Sequence, residues 1–184
     1  MYYIRIALTL FAMMFSAVSL AENASRNYIG VNLATFDSKY HTTEQDGYML
    51  NLGFDMNNYF AFELAAGTSK TETDPVTNDT SKIDYTASAF LRFNMRFDRI
   101  TVYLLGGYSQ VEGTTTSGGV NTSTTDEGGS YGYGLDFYGT RDLALSFRRV
   151  EFFDNEETTG NRHLGATTIG ITYYYDTPKI RSRY

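Results

Sequence analysis

The chain has 184 residues, which is the size of one domain rather than several. It contains no cysteine, so neither a disulfide framework nor lipid attachment through a cysteine is available, and its net charge of −6 disfavours nucleic acid and other polyanions. Mean hydropathy is only −0.32, yet 16% of residues are aromatic, with 17 Gly and two Pro.

The chain begins with a pattern typical of an export signal. Arg5 supplies a positive charge, residues 6–18 are apolar, and the small residues Ser19 and Ala21 suit cleavage after Ala21. The apolar run is 13 residues long, whereas a membrane-spanning helix needs about 20. The sequence therefore predicts a signal peptide over 1–21 and no membrane-spanning helix after it.

Eight later segments alternate apolar and polar residues with the two-residue period of a β-strand. In the fourth, Leu91, Phe93 and Met95 share one face, while Arg92 and Asn94 share the other. Such strands have an average hydropathy near zero when lipid-facing and lumen-facing residues alternate. The predicted strands cover residues 27–36, 47–55, 59–68, 85–96, 100–110, 130–139, 143–148 and 163–175.

The connections between these strands alternate between short and long. Short turns at one end and long polar loops at the other are typical of outer-membrane barrels, with the turns in the periplasm and the loops outside the cell. We predict an all-β, eight-stranded antiparallel up-and-down transmembrane β-barrel over 22–175, a short periplasmic tail over 176–184, and both termini in the periplasm. The predicted turns are 55–58, 97–99 and 139–142, and the predicted loops are 37–46, 69–84, 111–129 and 151–162.

The same alternation has an inverted interpretation. Soluble antiparallel barrels and sandwiches such as lipocalins also have one apolar and one polar strand face, with the apolar face turned inward. Two features favour the membrane barrel. Aromatic residues recur on the apolar face near strand ends, where an interfacial girdle would lie. Charged residues recur on the polar faces of neighbouring strands: Glu63, Arg92, Arg96, Asp136 and Arg148.

The last apolar segment is similar to the closing strand of bacterial outer-membrane barrels. A polar Thr168 is followed by Gly170 and then by the aromatic residues Tyr173 and Tyr175. Together with the strand, turn and strand over 131–148, it resembles the small eight-stranded outer-membrane proteins, which include the OmpA barrel domain and the OmpX and Ail type proteins. The resemblance implies a Gram-negative outer membrane and recognition of these four closing residues by the barrel assembly machinery. It implies no single activity, because the family includes pores, adhesins and lipid A enzymes.

The inward charges form the first candidate site. Eight strands enclose a lumen just wide enough to be filled by side chains, and a lone charge there would be costly. We predict an ion pair between Glu63 and Arg92, with Asp136 and Arg148 nearby. This cluster is either a plug that fixes strand register or a gate for a narrow ion or water path, the second by analogy with OmpA-like barrels.

The predicted outer surface offers further candidates. Arg149 lies near the outer rim of the seventh strand, and we predict that it contacts lipopolysaccharide phosphates. Barrel enzymes that act on lipid A use a catalytic His and Ser. His163, which with His41 makes up the two histidines, lacks the His-x-Ser-Asn pattern of the deacylases, and no Gly-x-Ser-x-Gly motif is present. We therefore predict no enzyme, no cofactor and no metal ion.

Two functions follow from these patterns. The first is a structural outer-membrane barrel with at most a narrow, gated pore. The alternative is a surface-exposed adhesion or interaction protein of the Ail or OmpX type, which acts through its acidic loops. The expected partners are outer-membrane lipid and lipopolysaccharide, the barrel assembly machinery and a host or cell-surface ligand at the loops. No nucleic acid is expected to bind, and the chain is predicted to be a monomer.

Overall fold

The computed structural model describes residues 26–38, 44–75, 77–152 and 164–176, which form nine β-strands in one antiparallel sheet. The predicted signal peptide and the residues after 176 lie outside this part. None of the described residues belongs to a helix long and apolar enough to cross a membrane. The strands are β1 (Arg26–Ser38), β2 (Gln45–Asp55), β3 (Phe60–Ser69), β4 (Glu72–Thr73), β5 (Thr80–Phe97), β6 (Ile100–Ser117), β7 (Val120–Tyr138), β8 (Leu143–Phe152) and β9 (Leu164–Asp176).

The sheet closes on itself as a barrel of eight long strands. The strands lie in the order β3-β2-β1-β9-β8-β7-β6-β5, and a further pairing between β3 and β5 joins the two ends. The ninth strand, β4, has two residues and pairs with β5. The first and last strands of the chain pair with each other, from Arg26 opposite Asp176 to Ser38 opposite Leu164. This topology confirms the predicted eight-stranded antiparallel barrel.

The two ends of the barrel differ in their connections. At the end referred to below as the turn end, residues 56–59, 98–99 and 139–142 join consecutive strands. Asn57 and Thr140 each accept backbone hydrogen bonds within their own turns, which fixes the reversal of the chain. The opposite end, where β1, β3, β6 and β8 finish, is the loop end.

Alternation along each strand separates two chemically different faces. Apolar side chains point outward, where Leu33 and Tyr133 are each 60% exposed. The residues between them point into the barrel, so Tyr28 and Asn32 of β1 are buried. An apolar outer surface of this extent needs lipid around it. The predicted strand faces are therefore confirmed, and the inverted, soluble interpretation is wrong.

β6 and β7 continue beyond the barrel as a paired ribbon over 111–129, and the first residues of β5 pair with its β6 strand as far as Thr80 opposite Thr116. The prediction of a loop there is wrong. The strands stay paired as far as Ser117 opposite Val120. The tip residues Gly118 and Gly119 have φ angles of 58° and 82°, a conformation that glycine adopts readily. Thr and Ser occupy both ribbon faces, so the hydrophobic alternation used to find strands is absent, although Thr itself favours β-structure.

The predicted loop over 69–84 is also partly strand. β4 pairs with the first residues of β5, which begins at Thr80. Beside them, hydrogen bonds from Thr114 and Lys82 lower the pKa of the Asp84 carboxyl below its ordinary value. Three strands, β5, β6 and β7, therefore rise past the barrel at the loop end. Of the other two predicted loops, residues 39–43 and 153–162 lie outside the described part, while 37–38, 45–46 and 151–152 belong to β1, β2 and β8.

Candidate functional site in the barrel interior

The charged residues predicted to line the lumen converge inside the barrel. Glu63 comes from β3, Arg92 from β5, Asp136 from β7 and Arg148 from β8, and strand alternation turns all four inward. Each is at most 5% exposed. These four residues are referred to below as the polar cluster. Its two arginines and two carboxylates balance each other in charge. This balance is needed because a buried charge without a partner is energetically costly.

Glu63 is held by three neighbours. Arg148 donates to both of its oxygens, at 2.7 Å to Oε1 and 3.0 Å to Oε2. The Tyr28 hydroxyl donates to Oε2 at 2.6 Å, and Arg92 Nη1 lies 3.6 Å from the same oxygen. The guanidinium of Arg148 thus binds the carboxylate through two parallel hydrogen bonds, which is the strongest geometry for such a pair.

Asp136 is the second anion of the polar cluster and is surrounded by donors in the same way. Arg92 and the Tyr174 hydroxyl each donate to Oδ2 at 2.5 Å. The Ser146 hydroxyl donates to Oδ1 at 2.6 Å. Arg92 also donates from Nε to Asn94 at 2.7 Å. Both carboxylates are therefore compensated by an arginine and by hydroxyl groups.

The ion pairing differs from the predicted one in its main partners. Glu63 and Arg92 do face each other, but their separation of 3.6 Å is the longest in the cluster. The shorter pairs join Glu63 to Arg148 at 2.7 Å and Arg92 to Asp136 at 2.5 Å. Glu63 and Arg92 lie on the neighbouring strands β3 and β5. In a narrow barrel, long side chains cross the lumen and reach strands that are not neighbours.

Two tyrosines, Tyr28 and Tyr103, pack against the arginines of the polar cluster and were not among its predicted residues. Arg92 Cζ lies 3.6 Å from the ring centroid of Tyr103 and 4.9 Å from that of Tyr28, within the range of cation–π attraction. Each ring lies across a glycine of an adjacent strand. An added Cβ would lie 2.3 Å from Tyr103 at Gly134 and 1.8 Å from Tyr28 at Gly53. The sequence does carry a signal for these contacts. Each inward tyrosine is paired with an inward glycine on the neighbouring strand, Tyr28 with Gly53 and Tyr103 with Gly134.

Towards the loop end the interior changes from polar to apolar. Five large apolar side chains there are each at most 2% exposed and belong to one buried cluster. Phe152, the last residue of β8, is among them, so this aromatic side chain fills the lumen rather than facing solvent. The group is referred to below as the apolar layer and consists of Phe36, Met49, Phe90, Val150 and Phe152.

Neutral polar side chains fill the interior beside these two groups. Asn32 donates from Nδ2 to Asn51 Oδ1 at 2.7 Å. Near the loop end, Gln45 donates to the Ser81 hydroxyl at 2.6 Å and accepts from the Ser69 hydroxyl at 2.9 Å. These bonds satisfy the amides and hydroxyls that they join, as is expected where side chains fill the lumen of an eight-stranded barrel.

At the turn end the barrel opens into a cavity of about 410 Å³. Arginines from two strands and two turns surround it, and two inward tyrosines contribute to its walls. The cavity with its arginines is referred to below as the turn-end mouth. Its lining includes Arg26, Arg96, Arg99, Arg141, Tyr138 and Tyr174.

Arg149, predicted to contact lipopolysaccharide, points outward near the loop end. It donates to both carboxylate oxygens of Asp37, at 2.7 and 2.8 Å. It also donates to Glu151 at 2.6 Å and to the Thr167 hydroxyl at 2.9 Å. A lipid phosphate would have to compete with two carboxylates for these donors. The lipopolysaccharide contact of Arg149 stays a prediction.

The four residues of the predicted assembly signal lie on β9. Tyr173 and Tyr175 point outward, with ring centroids 6.4 Å apart. Thr168 is buried on the inward face. Gly170 lies so close to β1 that an added Cβ would be 2.1 Å from the carbonyl oxygen of Val31. Recognition of these residues by the assembly machinery stays a prediction.

The predicted absence of catalysis concerns residues that the structure does not describe. His41 and His163 both lie outside the described residues. Within the described part, no group of three or more His, Asp and Glu is arranged to hold a metal ion. The prediction that the protein is not an enzyme stays a prediction.

A closed antiparallel sheet with an apolar exterior and a charged, packed interior defines a transmembrane β-barrel. The chain belongs to the family of the outer membrane protein beta-barrel domain, which it matches over residues 7–176. It is therefore a barrel of the Gram-negative outer membrane, as predicted, while the placement of both termini in the periplasm stays a prediction.

Solved outer-membrane barrels share this fold. Neisserial surface protein A gives a TM-score of 0.63 at 15% identity, covering 83% of this chain and 98% of its own. The N-terminal barrel of Pseudomonas aeruginosa OprF gives 0.60 at 12% identity, covering 82% and 99%. Yersinia pestis Ail, solved with the heparin analogue sucrose octasulfate, gives 0.57 at 17% identity, covering 84% and 100%.

These structures confirm the predicted resemblance to small outer-membrane barrels. At such low identity, the likeness establishes the fold alone. No curated protein matches this chain in sequence. Function must therefore be argued from the interior and the two ends of this barrel.

Proposed function

We propose that the protein is a structural component of the outer membrane, with an interior closed to bulk solutes and at most a narrow, gated path. The polar cluster carries this proposal, because Glu63 and Asp136 are each bound by arginine and hydroxyl donors inside the barrel. A permeating ion would have to break these contacts in a region of low dielectric constant. It would also lose its hydration on passing the apolar layer.

Planar-bilayer recording tests the closed interior. The refolded protein, checked by the altered gel mobility of unboiled samples, is expected to give no resolved conductance steps. Small steps whose size changes in Glu63→Gln would indicate the gated path. Large steps that are insensitive to Glu63→Gln would contradict a closed interior. A Lys70→Gln variant, which changes an exposed charge at the loop end, provides the control for general charge effects.

The proposed orientation places the turn end and both termini in the periplasm, because short turns are periplasmic in bacterial barrels. An epitope inserted between Gly118 and Gly119, at the ribbon tip, should be labelled by antibody on intact cells. The same epitope inserted in the turn over 139–142 should be labelled only after permeabilisation. The opposite pattern would reverse the orientation.

The proposed partners of the barrel wall are outer-membrane lipid, lipopolysaccharide and the assembly machinery, and the chain is proposed to be a monomer. The outward pair Tyr173 and Tyr175 supports the assembly proposal, since both side chains are accessible on β9. A Tyr173→Ala, Tyr175→Ala variant should lower the fraction of heat-modifiable protein in cells. The matched variant Tyr131→Ala, Tyr133→Ala on β7 should retain it. Equal loss in both would point to general destabilisation.

A second candidate function is binding at the loop end, and the ribbon favours it. Residues 120–129 of β7 pair only with β6 among the described residues, because the pairing of β7 with β8 begins at Ser130. The other edge of β7 is therefore an exposed strand edge in this segment. Exposed strand edges bind extended polypeptides by adding a strand to the sheet. Loop-end charges such as Glu72, Asp126 and Glu127 disfavour a polysulfated ligand of the kind present in the Ail complex.

Shortening the ribbon tests this second function. Deletion of 114–123 leaves Gly113 and Thr124 as a two-residue turn between the paired residues Glu112 and Thr125. The shortened protein should keep its altered gel mobility, and any binding of wild-type cells to host cells should fall. Unchanged binding would remove the ribbon as the interaction surface.

A further inference from the structure

We propose that the turn-end mouth binds a soluble oxyanion, a phosphate or carboxylate group on a small molecule. Its arginines come from separate parts of the chain that the barrel brings together. Arg26 begins β1, Arg96 lies near the end of β5, Arg99 lies in the following turn, and Arg141 lies in the turn over 139–142. The cavity of about 410 Å³ is within the size range of small-molecule sites.

Two of the arginines are held in place by carboxylates. Arg96 donates to Asp55 at 2.5 Å. Arg26 donates to Asp142 at 3.0 Å, and its Cζ lies 5.3 Å from the ring centroid of Tyr174. These contacts restrict both side chains before a ligand arrives, which reduces the entropy lost on binding.

Arginines outnumber carboxylates among the residues that line the cavity. Four arginines and one aspartate, Asp98, belong to the lining, and Asp55 and Asp142 pair with two of these arginines. The planar guanidinium group matches the oxygens of phosphate and carboxylate, so an oxyanion is the ligand class that these residues favour.

The direction of the cavity distinguishes a soluble ligand from a lipid headgroup. Arg96, Tyr138 and Tyr174 occupy inward positions, alternating with outward neighbours such as Phe137 and Tyr173. The mouth therefore opens along the barrel axis rather than towards the surrounding lipid. Under the proposed orientation it faces the periplasm, but the binding itself does not depend on that orientation.

A phosphate titration tests the proposal. Isotope-labelled protein refolded in detergent micelles is titrated with inorganic phosphate at constant ionic strength, and NMR follows the backbone amides of 139–141 and the arginine Nε–Hε groups. We expect saturable shifts confined to the turn end. The double variant Arg99→Gln, Arg141→Gln, which changes two exposed side chains, should weaken binding about tenfold or more.

The control removes the same charge from the other end of the barrel. Lys70→Gln, Lys82→Gln should leave the phosphate affinity unchanged, and gel mobility verifies that both double variants are folded. Shifts that do not saturate, or equal weakening in both double variants, would overturn the proposal. Shifts at 139–141 that appear only in nanodiscs containing phosphatidylglycerol, and not with free phosphate, would also overturn it. Micelles have no sidedness, so a reversed orientation in cells would leave this result unaffected.

Discussion

The polar cluster and the apolar layer fill the same barrel with opposite chemistry. In the apolar layer, Phe36 and Phe152 are stabilised by non-directional burial, so shape and volume determine the energy. In the polar cluster, each charge depends on named donors at fixed distances, as Glu63 depends on Arg148 and Tyr28. We therefore expect single substitutions to cost more stability in the polar cluster than in the apolar layer.

The largest expected effect is that of Glu63→Ala. It leaves Arg148 without its bidentate partner and removes an acceptor from Tyr28 and Arg92. A broken buried ion pair costs about 3–5 kcal/mol. Urea unfolding in lipid vesicles, followed by gel mobility, measures the change in the free energy of unfolding.

The double variant Glu63→Leu, Arg148→Met separates loss of charge balance from loss of contact area. Replacing both partners removes the uncompensated charge, so this variant should be more stable than Glu63→Ala. If the double variant were the less stable of the two, charge balance would not be what holds the polar cluster together.

Tyr28→Phe sharpens the comparison by removing one oxygen and keeping the ring over Gly53. The lost hydrogen bond, 2.6 Å to Glu63 Oε2, involves a charged acceptor, so about 1.5–3 kcal/mol is expected. Tyr138→Phe is the matched control, because the hydrogen bond found for the Tyr138 hydroxyl within the described residues is a long one, accepted from Thr101 at 3.5 Å. Similar losses of unfolding free energy in the two variants would argue against a special role for the polar cluster.

Gly134→Ala tests whether the polar cluster also depends on shape. The added methyl group would lie 2.3 Å from the Tyr103 ring, which is stacked on Arg92. Overpacking of this kind costs about 1–3 kcal/mol. Gly139→Ala, at a position where an added Cβ has nothing within 4 Å, should change stability little. If both variants lost the same unfolding free energy, the loss would come from the changed flexibility of the backbone and not from contact with the Tyr103 ring.

The barrel could be predicted from the sequence because its strands alternate apolar and polar residues with a period of two. Leu91, Phe93 and Met95 face lipid while Arg92 and Asn94 face inward, and no tertiary information is needed to see that alternation. The ribbon escaped prediction for the same reason. Its Thr and Ser residues carry no hydrophobic period, and its pairing follows from the continuation of β5, β6 and β7.

The polar cluster could be predicted as a set of residues but not as a set of pairs. The inward positions of Glu63 and Arg148 follow from strand periodicity, whereas their contact depends on how far each side chain reaches across the lumen. That distance depends on barrel diameter and strand stagger. The turn-end mouth also escaped prediction, since Arg26 and Arg141 are 115 positions apart and meet only when β1 and β9 close the barrel.

Phe152→Leu has the smallest expected effect and tests the apolar side of the comparison. Phe152 is fully buried beside Val150 and Ala166, and leucine keeps an apolar side chain there while leaving no group without a partner. Such a swap costs less than about 1.5 kcal/mol where the neighbours can repack. Urea unfolding of this variant beside Glu63→Gln, the near-isosteric change in the polar cluster, compares the two levels directly. If Phe152→Leu lost as much unfolding free energy as Glu63→Gln, the apolar layer and the polar cluster would be equally sensitive to substitution. The fit of side chains to the barrel diameter, and not their charge, would then determine which substitutions are tolerated.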